Sequence, residues 1–253
     1  MAYFDKENAG RYEDLGKFRH EYKYVITDKE MAVIKLKLDA MLSRDKHVQT
    51  EGRYKGMYHI RSVYFDDMFN TCYYENEDGT DPREKFRMRI YNCSDERINL
   101  ELKRKRCNKT QKLSCRLTKE QCIKIINKEE IPVSNDNPAL LNKFLLQRIN
   151  RGLEPKVIVQ YDRIPYVYDL GNVRITLDMN IASSERFDEF FNPDNPARPI
   201  LGARRNVLEV KWDEYLPSHI YKSIMIPNIM QTAFSKYYLC RRFGLGEVRN
   251  TNI

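Results

Sequence analysis

Arginine and lysine return at every second position along several short runs of this chain. Over residues 85–91, Lys85, Arg87, Arg89 and Tyr91 fall on one side, and Phe86, Met88 and Ile90 on the other. The same scheme places Glu101 and Lys103 opposite Leu100 and Leu102, Lys112 and Arg116 opposite Leu113 and Leu117, Arg174 opposite Val173 and Ile175, and Glu209 and Lys211 opposite Leu208 and Val210. Successive side chains on a strand point to opposite faces, so each run has one ionic and one apolar side. One such strand is ordinary, because a half-solvated antiparallel sheet reads this way. Several, dominated by Arg and Lys, imply charged faces that converge on one anionic ligand. Arg offers a two-pronged donor to phosphate oxygens, and Lys a mobile point charge. The interspersed carboxylates suit Mg²⁺ or Mn²⁺, hard ions that take oxygen ligands and bridge phosphates. Such a set has the equipment of phosphoryl transfer, where positioning and charge neutralisation do most of the catalysis.

These residues need strands to aim them. Eight extended segments can be counted, near 17–26, 57–66, 84–92, 97–105, 111–118, 156–164, 172–181 and 205–213. Turn-forming residues at Asn92–Glu96, Cys107–Lys109 and Asp169–Asn172 predict hairpins and antiparallel pairing. Thr27 with Glu30 and Thr118 with Gln121 are capping-box starts for helices running to about Met41 and Ile126. Asn137-Pro138 opens a third helix over 139–150, ended by Gly152. A fourth runs from Pro217 towards Ile226 and a fifth over 232–243. Segments 43–56 and 185–205 lack periodicity. No linker or repeat divides the 253 residues, so the reading is one α+β domain over 1–253. Its expected architecture is an antiparallel eight-stranded β-tunnel, a closed barrel with ionic faces lining the lumen and helices packed outside. The lining would comprise Arg19, Glu21, Lys23, Arg87, Arg89, Glu101, Lys103, Lys112, Arg116, Arg174, Glu209 and Lys211.

Composition narrows the partners. Forty-four Lys and Arg against 36 acids give a formal charge of +8, with pI near 9.0. The signs are interspersed, so no basic tail stands out. Lys103-Arg104-Lys105-Arg106 looks like a nucleic-acid patch, but a strand splits its charges between two faces, and no nucleic-acid reader fold is visible. Six cysteines without a C-x-x-C pair read as reduced thiols of a cytoplasmic protein, with no zinc site. Residues 1–16 are polar and carry no secretory signal. No apolar stretch approaches the roughly 20 residues of a membrane-spanning helix. His20, His47, His59 and His219 lie apart in sequence with no acid–base partner beside them in the chain, which favours surface or packing roles. Asp66 and Asp178 are read as turn anchors or arginine partners, without a catalytic role.

The ordered motifs Arg19-His20-Glu21-Tyr22-Lys23-Tyr24, Val63-Tyr64-Phe65-Asp66, Phe86–Tyr91, Glu101-Leu102-Lys103, Tyr161-Asp162-Arg163, Val173–Asp178, Leu208–Lys211 and Phe234-Ser235-Lys236-Tyr237 resemble the triphosphate tunnel metalloenzymes. Within that superfamily the likeness is to the VTC-type polyphosphate polymerase domain, from Arg19 to about Phe243. The resemblance implies an eight-stranded tunnel in which the terminal phosphate of a nucleoside triphosphate such as ATP passes to a polyphosphate chain with the help of a divalent metal, Mn²⁺ or Mg²⁺. Carried over by motif, Arg87, Arg89, Lys103, Arg163 and Lys236 would act on the transferred phosphate. Lys23 and Lys112 would grip further phosphates, joined by Arg19, Arg116, Arg174 and Lys211 of the lining. Tyr161 and Ser235 would add hydrogen bonds. Glu209 would hold the metal, with Glu21 and Glu101 as further carboxylates. The inward direction of Tyr161 and Arg163 comes from the resemblance, since Val157 and Val159 share their face.

Two departures stand out. Hydrolytic relatives begin Glu-x-Glu-x-Lys, and Arg19 stands where the first Glu would be, which favours chain anchoring over water activation. The polymerase pattern also has Lys two residues before the Ser-Lys pair, where this chain has Ala233. The alternatives are a non-catalytic module that binds polyphosphate or nucleotide, and a tunnel triphosphatase. A membrane-protein partner is compatible with either activity.

Overall fold

The computed structural model describes residues 17–227 and 229–246. The polar stretch 1–16, read as free of a secretory signal, lies outside them. In chain order the elements are β1 (His20–Thr27), α1 (Asp28–Met41), β2 (Ser43–Arg44), β3 (Tyr58–Asp66), α2 (Thr71–Glu77), β4 (Arg83–Tyr91), β5 (Ser94–Arg106), β6 (Lys109–Leu117), α3 (Lys119–Ile126) and α4 (Ala139–Arg151). There follow β7 (Glu154–Tyr168), β8 (Val173–Ser184), β9 (Arg198–Pro199), β10 (Arg205–Trp212), α5 (Ser218–Ile224) and α6 (Lys236–Gly244).

Local chemistry sets the joints. Thr27 and Glu30 form the expected capping box, the Glu30 amide donating to Thr27 Oγ1 and the Thr27 amide to Glu30 Oε2. Thr118 and Gln121 repeat it at α3. At the end of α4, Gly152 takes the left-handed conformation (φ 65°) that glycine adopts without strain. Asn92 and Cys93 both have positive φ, as do Cys107 and Asn108. Two such central residues make the tight turn whose twist matches a hairpin.

Eight strands pair in the order β1-β10-β8-β7-β3-β4-β5-β6, every neighbour antiparallel. The sheet curls until its two edges meet, because Arg19 beside β1 exchanges backbone hydrogen bonds of 2.8 and 2.9 Å with Thr110 of β6. No ladder continues from there. The expected closed barrel is therefore corrected to a curled, open sheet touching itself at one isolated bridge. Part of the reason lies along β1, where the chain at 231–232 takes up backbone groups at that edge: Tyr24 bridges Gln231, and the Thr232 amide donates to the Lys23 carbonyl.

Two apolar clusters cover the convex face. Under α3 and α4, Phe144 is fully buried against Phe65 and Phe86, with Met88, Ile90, Leu100 and Leu102 around them. Under α1 and α5, Ile34, Leu38, Ile220 and Ile224 pack on Ile26, Ile175, Leu177, Leu208 and Val210. A third cluster lies on the other face. Tyr64, Val157, Val159, Tyr161 and Val207 pack against Phe234, Tyr237 and Cys240. Helix α6 thus sits over the concave side, which corrects the expectation that all helices lie outside. It also starts at Lys236 and not at Thr232, with Ser235 as its cap: Ser235 Oγ accepts from the Tyr238 amide at 3.3 Å. Buried Asp66 ties α6 down, accepting from the Cys72 and Tyr73 amides and from the Tyr237 hydroxyl at 2.5 Å.

Candidate functional site

Strand register decides which charged side chains share the concave face. Arg87 stands beside Glu101 and Tyr64, Arg89 beside Asn99 and Ser62, Lys103 beside Lys112, Arg163 beside Asp178, and Lys23 beside Glu209. Strands β5 and β1 lie far apart along the sheet, yet Lys103 Nζ meets Glu21 Oε2 at 2.8 Å. The curl of the sheet brings the β6 edge, next to β5, up against β1, and both side chains lie on the concave face.

Eight cations are drawn together there: Lys23, Arg87, Arg89, Lys103, Lys112, Arg163, Lys211 and Lys236. Four carboxylates sit among them. Glu101, wholly buried, receives Arg87 Nε at 2.7 Å and Nη2 at 2.6 Å, and Lys112 at 3.2 Å, with Arg89 at 3.9 Å. Asp178 receives Arg163 Nε and Nη2 at 2.6 and 2.7 Å, and Lys236 at 2.6 Å. Glu21 and Glu209 complete the set, held mainly by lysines. Burial opposes the charge on all four, but the neighbouring cations outweigh it and hold each carboxyl below its usual range. The four carboxylates are therefore ionised, among twice as many basic groups. Burial pushes Lys103 down to about 7 despite Glu21 beside it. Lys85, on the same face of β4, is pushed down to about 8 by burial. A crowd of ammonium and guanidinium groups, most of them buried or half-buried, gains most from a multiply charged anion.

Tyr161 does face this cluster: its hydroxyl accepts from Arg89 Nη2 at 3.2 Å, and Lys236 Nζ lies 4.8 Å above its ring. Val157 and Val159 point the same way but lie under α6, which explains why alternation alone was ambiguous. Ser235 caps α6 beside Lys236, and Lys23 Nζ donates to the Phe234 carbonyl at 2.9 Å. Three expected residues are engaged apart from the cluster. Arg19 pairs with Asp213 at 2.6 Å, Arg116 is exposed and donates to the Glu96 carbonyl, and Arg174 lies 3.3 Å from Asp45. Sequence reasoning passed over Tyr64, which accepts from Arg87 Nη1 at 2.8 Å, and Ser62, which accepts from Arg89 Nε at 3.1 Å. Their signal was the alternation of β3, masked because every residue of that strand is buried.

Among the described residues no three His, Cys, Asp or Glu side chains gather into a ready metal cage. Glu21 and Glu209 still offer oxygen donors of the kind Mn²⁺ and Mg²⁺ prefer, and the remaining ligands would come from phosphate and water. Also among the described residues, no helix is long and apolar enough to cross a membrane.

A curled antiparallel sheet cupping a cation-rich polar cluster defines the class of protein. The VTC domain model matches residues 18–243, and the chain belongs to that family. A search of curated proteins finds no match. Among solved structures, the chain is similar to a candidate adenylyl cyclase from Hippeastrum described as having a dominant triphosphatase activity, at 11% identity and TM-score 0.48, covering 89% of this chain and 96% of that one. It is also similar to a candidate adenylate cyclase from Bacillus halodurans, at 13% identity and TM-score 0.47, covering 82% and 86%.

Proposed function

We propose that this protein is a metal-dependent polyphosphate polymerase, transferring the terminal phosphate of a nucleoside triphosphate such as ATP to the end of a polyphosphate chain. The observation that carries the reading is the concave cluster of eight cations and four carboxylates, joined to membership of the VTC family. In the reaction a terminal oxygen of the acceptor chain attacks the γ-phosphorus, the new P–O bond forms, and the β–γ bridge breaks to leave the nucleoside diphosphate. Arg87, Arg89, Lys103, Arg163 and Lys236 would bind and orient the reacting phosphates and offset their negative charge. A divalent ion held by Glu209, with Glu21 near, would supply further charge neutralisation. Tyr161 would orient phosphate oxygens through its hydroxyl.

The absence of a carboxylate at position 19, where hydrolytic relatives carry one, supports transfer to a chain over transfer to water. Arg19 itself is fixed by Asp213 at the seam where the sheet edges meet, apart from the cluster. The test is to incubate the pure protein with ATP and Mn²⁺ and follow the products by phosphorus NMR. Polymer resonances are expected. Orthophosphate without polymer would replace this reading with a triphosphatase, and binding of tripolyphosphate without turnover would replace it with a binding module.

A further inference from the structure

The four buried carboxylates fall into two kinds according to what holds them. Glu101 and Asp178 are each clamped by an arginine fork through two donors. Glu21 and Glu209 are instead bridged by two lysines that each reach both carboxylates, while Lys103 meets Glu21 alone at 2.8 Å and Arg163 Nη2 stays 3.6 Å from Glu209. Lys23 Nζ lies 3.4 Å from Glu21 Oε1 and 3.8 Å from Glu209 Oε2. Lys211 Nζ lies 2.6 Å from Glu209 Oε1 and 3.7 Å from Glu21 Oε1. The register of β1 and β10 sets Glu21 opposite Lys211 and Lys23 opposite Glu209, so the four form a square of alternating charge. Glu209 Oε1 is sealed from solvent and, although Lys211 touches it, makes no aligned hydrogen bond. An arginine fork is rigid and planar, whereas a lysine ammonium sits on a flexible stem and can exchange partners.

We propose that Glu21 and Glu209 form one divalent-cation site that Lys23 and Lys211 keep closed until a polyphosphate draws their ammonium groups away. This inference rests on the phosphate-binding reading. A divalent ion between the two carboxylates would lie within a few ångströms of both ammonium groups, and that repulsion excludes the metal while the lysines stay. Phosphate oxygens give the lysines new partners and supply the coordination that the protein lacks, since no third carboxylate, His or Cys joins the pair among the described residues. Metal and polyanion then enter as one coupled event, each favouring the other.

The full chain is tested with Mn²⁺ alone and with tripolyphosphate, using melting temperature and water-proton relaxation, which separates free, chelated and protein-held Mn²⁺. Wild type with Mn²⁺ alone should show no melting shift and no relaxation enhancement. Lys211→Met, and independently Lys23→Met, should bind Mn²⁺ alone roughly tenfold or more tightly than wild type, because removing a like charge a few ångströms away is worth at least that factor. With tripolyphosphate present, wild type should give an enhancement above that of the Mn²⁺–tripolyphosphate complex, and Glu21→Gln and Glu209→Gln should each abolish it. Tight Mn²⁺ binding by the wild type alone, failure of both lysine variants to gain affinity, or an undiminished enhancement in both glutamine variants would overturn the lock. Failure of tripolyphosphate to raise the wild-type melting temperature would instead remove the phosphate reading, while the lysine variants with Mn²⁺ alone still decide the lock.

Discussion

Arg163 grips Asp178 through both Nε and Nη2, at 2.6 and 2.7 Å, and Lys236 reaches the same carboxylate from α6 at 2.6 Å. The fork joins β7 to β8, and the ammonium fastens the helix over the concave face. Asp178 is completely buried, and both cations are more than nine-tenths so. The ion triad is thus at once a structural clasp and a boundary of the candidate site.

Removing the carboxylate strands two buried cations. Asp178→Ala is expected to lose about 3–5 kcal/mol in urea unfolding, the usual cost of breaking a buried pair from one side. Hydrogen exchange over residues 236–244 should accelerate, since α6 loses its electrostatic tether. A loss below about 1 kcal/mol would show that water or neighbouring groups replace the carboxylate and that the clasp is weak.

On the convex side, Phe144 is wedged between Phe65 and Phe86, with ring centroids 4.8 and 5.2 Å away. Phe144→Ala should cost about 3–5 kcal/mol, from lost transfer energy and the cavity left behind. Ile149, on the exposed side of the same helix, is the control: Ile149→Ala should stay within about 0.5 kcal/mol of wild type. Comparable losses at both positions would mean that α4 does not pack as described.

Much of this arrangement was legible because its signals are local. All eight strands of the main sheet overlap the extended segments counted from the sequence, although alternation is clean in only some of them, and hydroxyl caps located α1 and α3 almost to the residue. The sequence allows Asp66 and Asp178 each to be a turn anchor or an arginine partner; Asp66 takes the first place and Asp178 the second. What was missed depends on long-range geometry. Whether β1 and β6 join is a matter of where the chain at 231–232 falls, and no periodicity reports that. Helix α6 looks like any amphipathic helix, and nothing in Phe234, Tyr237 and Cys240 says that their partners are concave. Helix α2 escaped because its N-cap Asn70 lies in the left-handed region (φ 55°) and makes no side-chain cap, leaving no start signal. The direction of Arg163 and Tyr161 came from family motifs, since Val157 and Val159 obscure the alternation.

Glu209→Gln keeps the shape of the side chain and removes its charge. If the metal held there neutralises charge during transfer, turnover with ATP and Mn²⁺ should fall about 10²–10³-fold, comparable to deleting one preorganised electrostatic element. Affinity for tripolyphosphate alone should fall little or rise, because the cations remain and one competing carboxylate is gone. Arg89→Ala should differ, weakening tripolyphosphate binding together with turnover. A Glu209→Gln protein with wild-type turnover would dismiss the metal role.

Lys103 makes phosphate binding sensitive to pH. Burial depresses it from 10.5 to about 7 despite the ion pair it makes with Glu21. In the unfolded chain the same group keeps its proton to the higher value. Between about pH 7 and 10.5 the unfolded state therefore binds more protons, and Lys103 contributes stability that rises with pH across that window. Ligand binding has the opposite sign. A polyphosphate beside the amine favours the charged form, so binding must take up a proton wherever Lys103 is neutral. Affinity should accordingly fall as pH rises above 7, by up to about tenfold per unit for one proton. Calorimetry in two buffers of different ionisation enthalpy at pH 8 should register an uptake approaching one proton per tripolyphosphate. Lys103→Arg, whose charge does not titrate in this range, should flatten the difference from wild type and abolish that uptake. Equal proton uptake by both proteins would assign the effect to the ligand and not to Lys103.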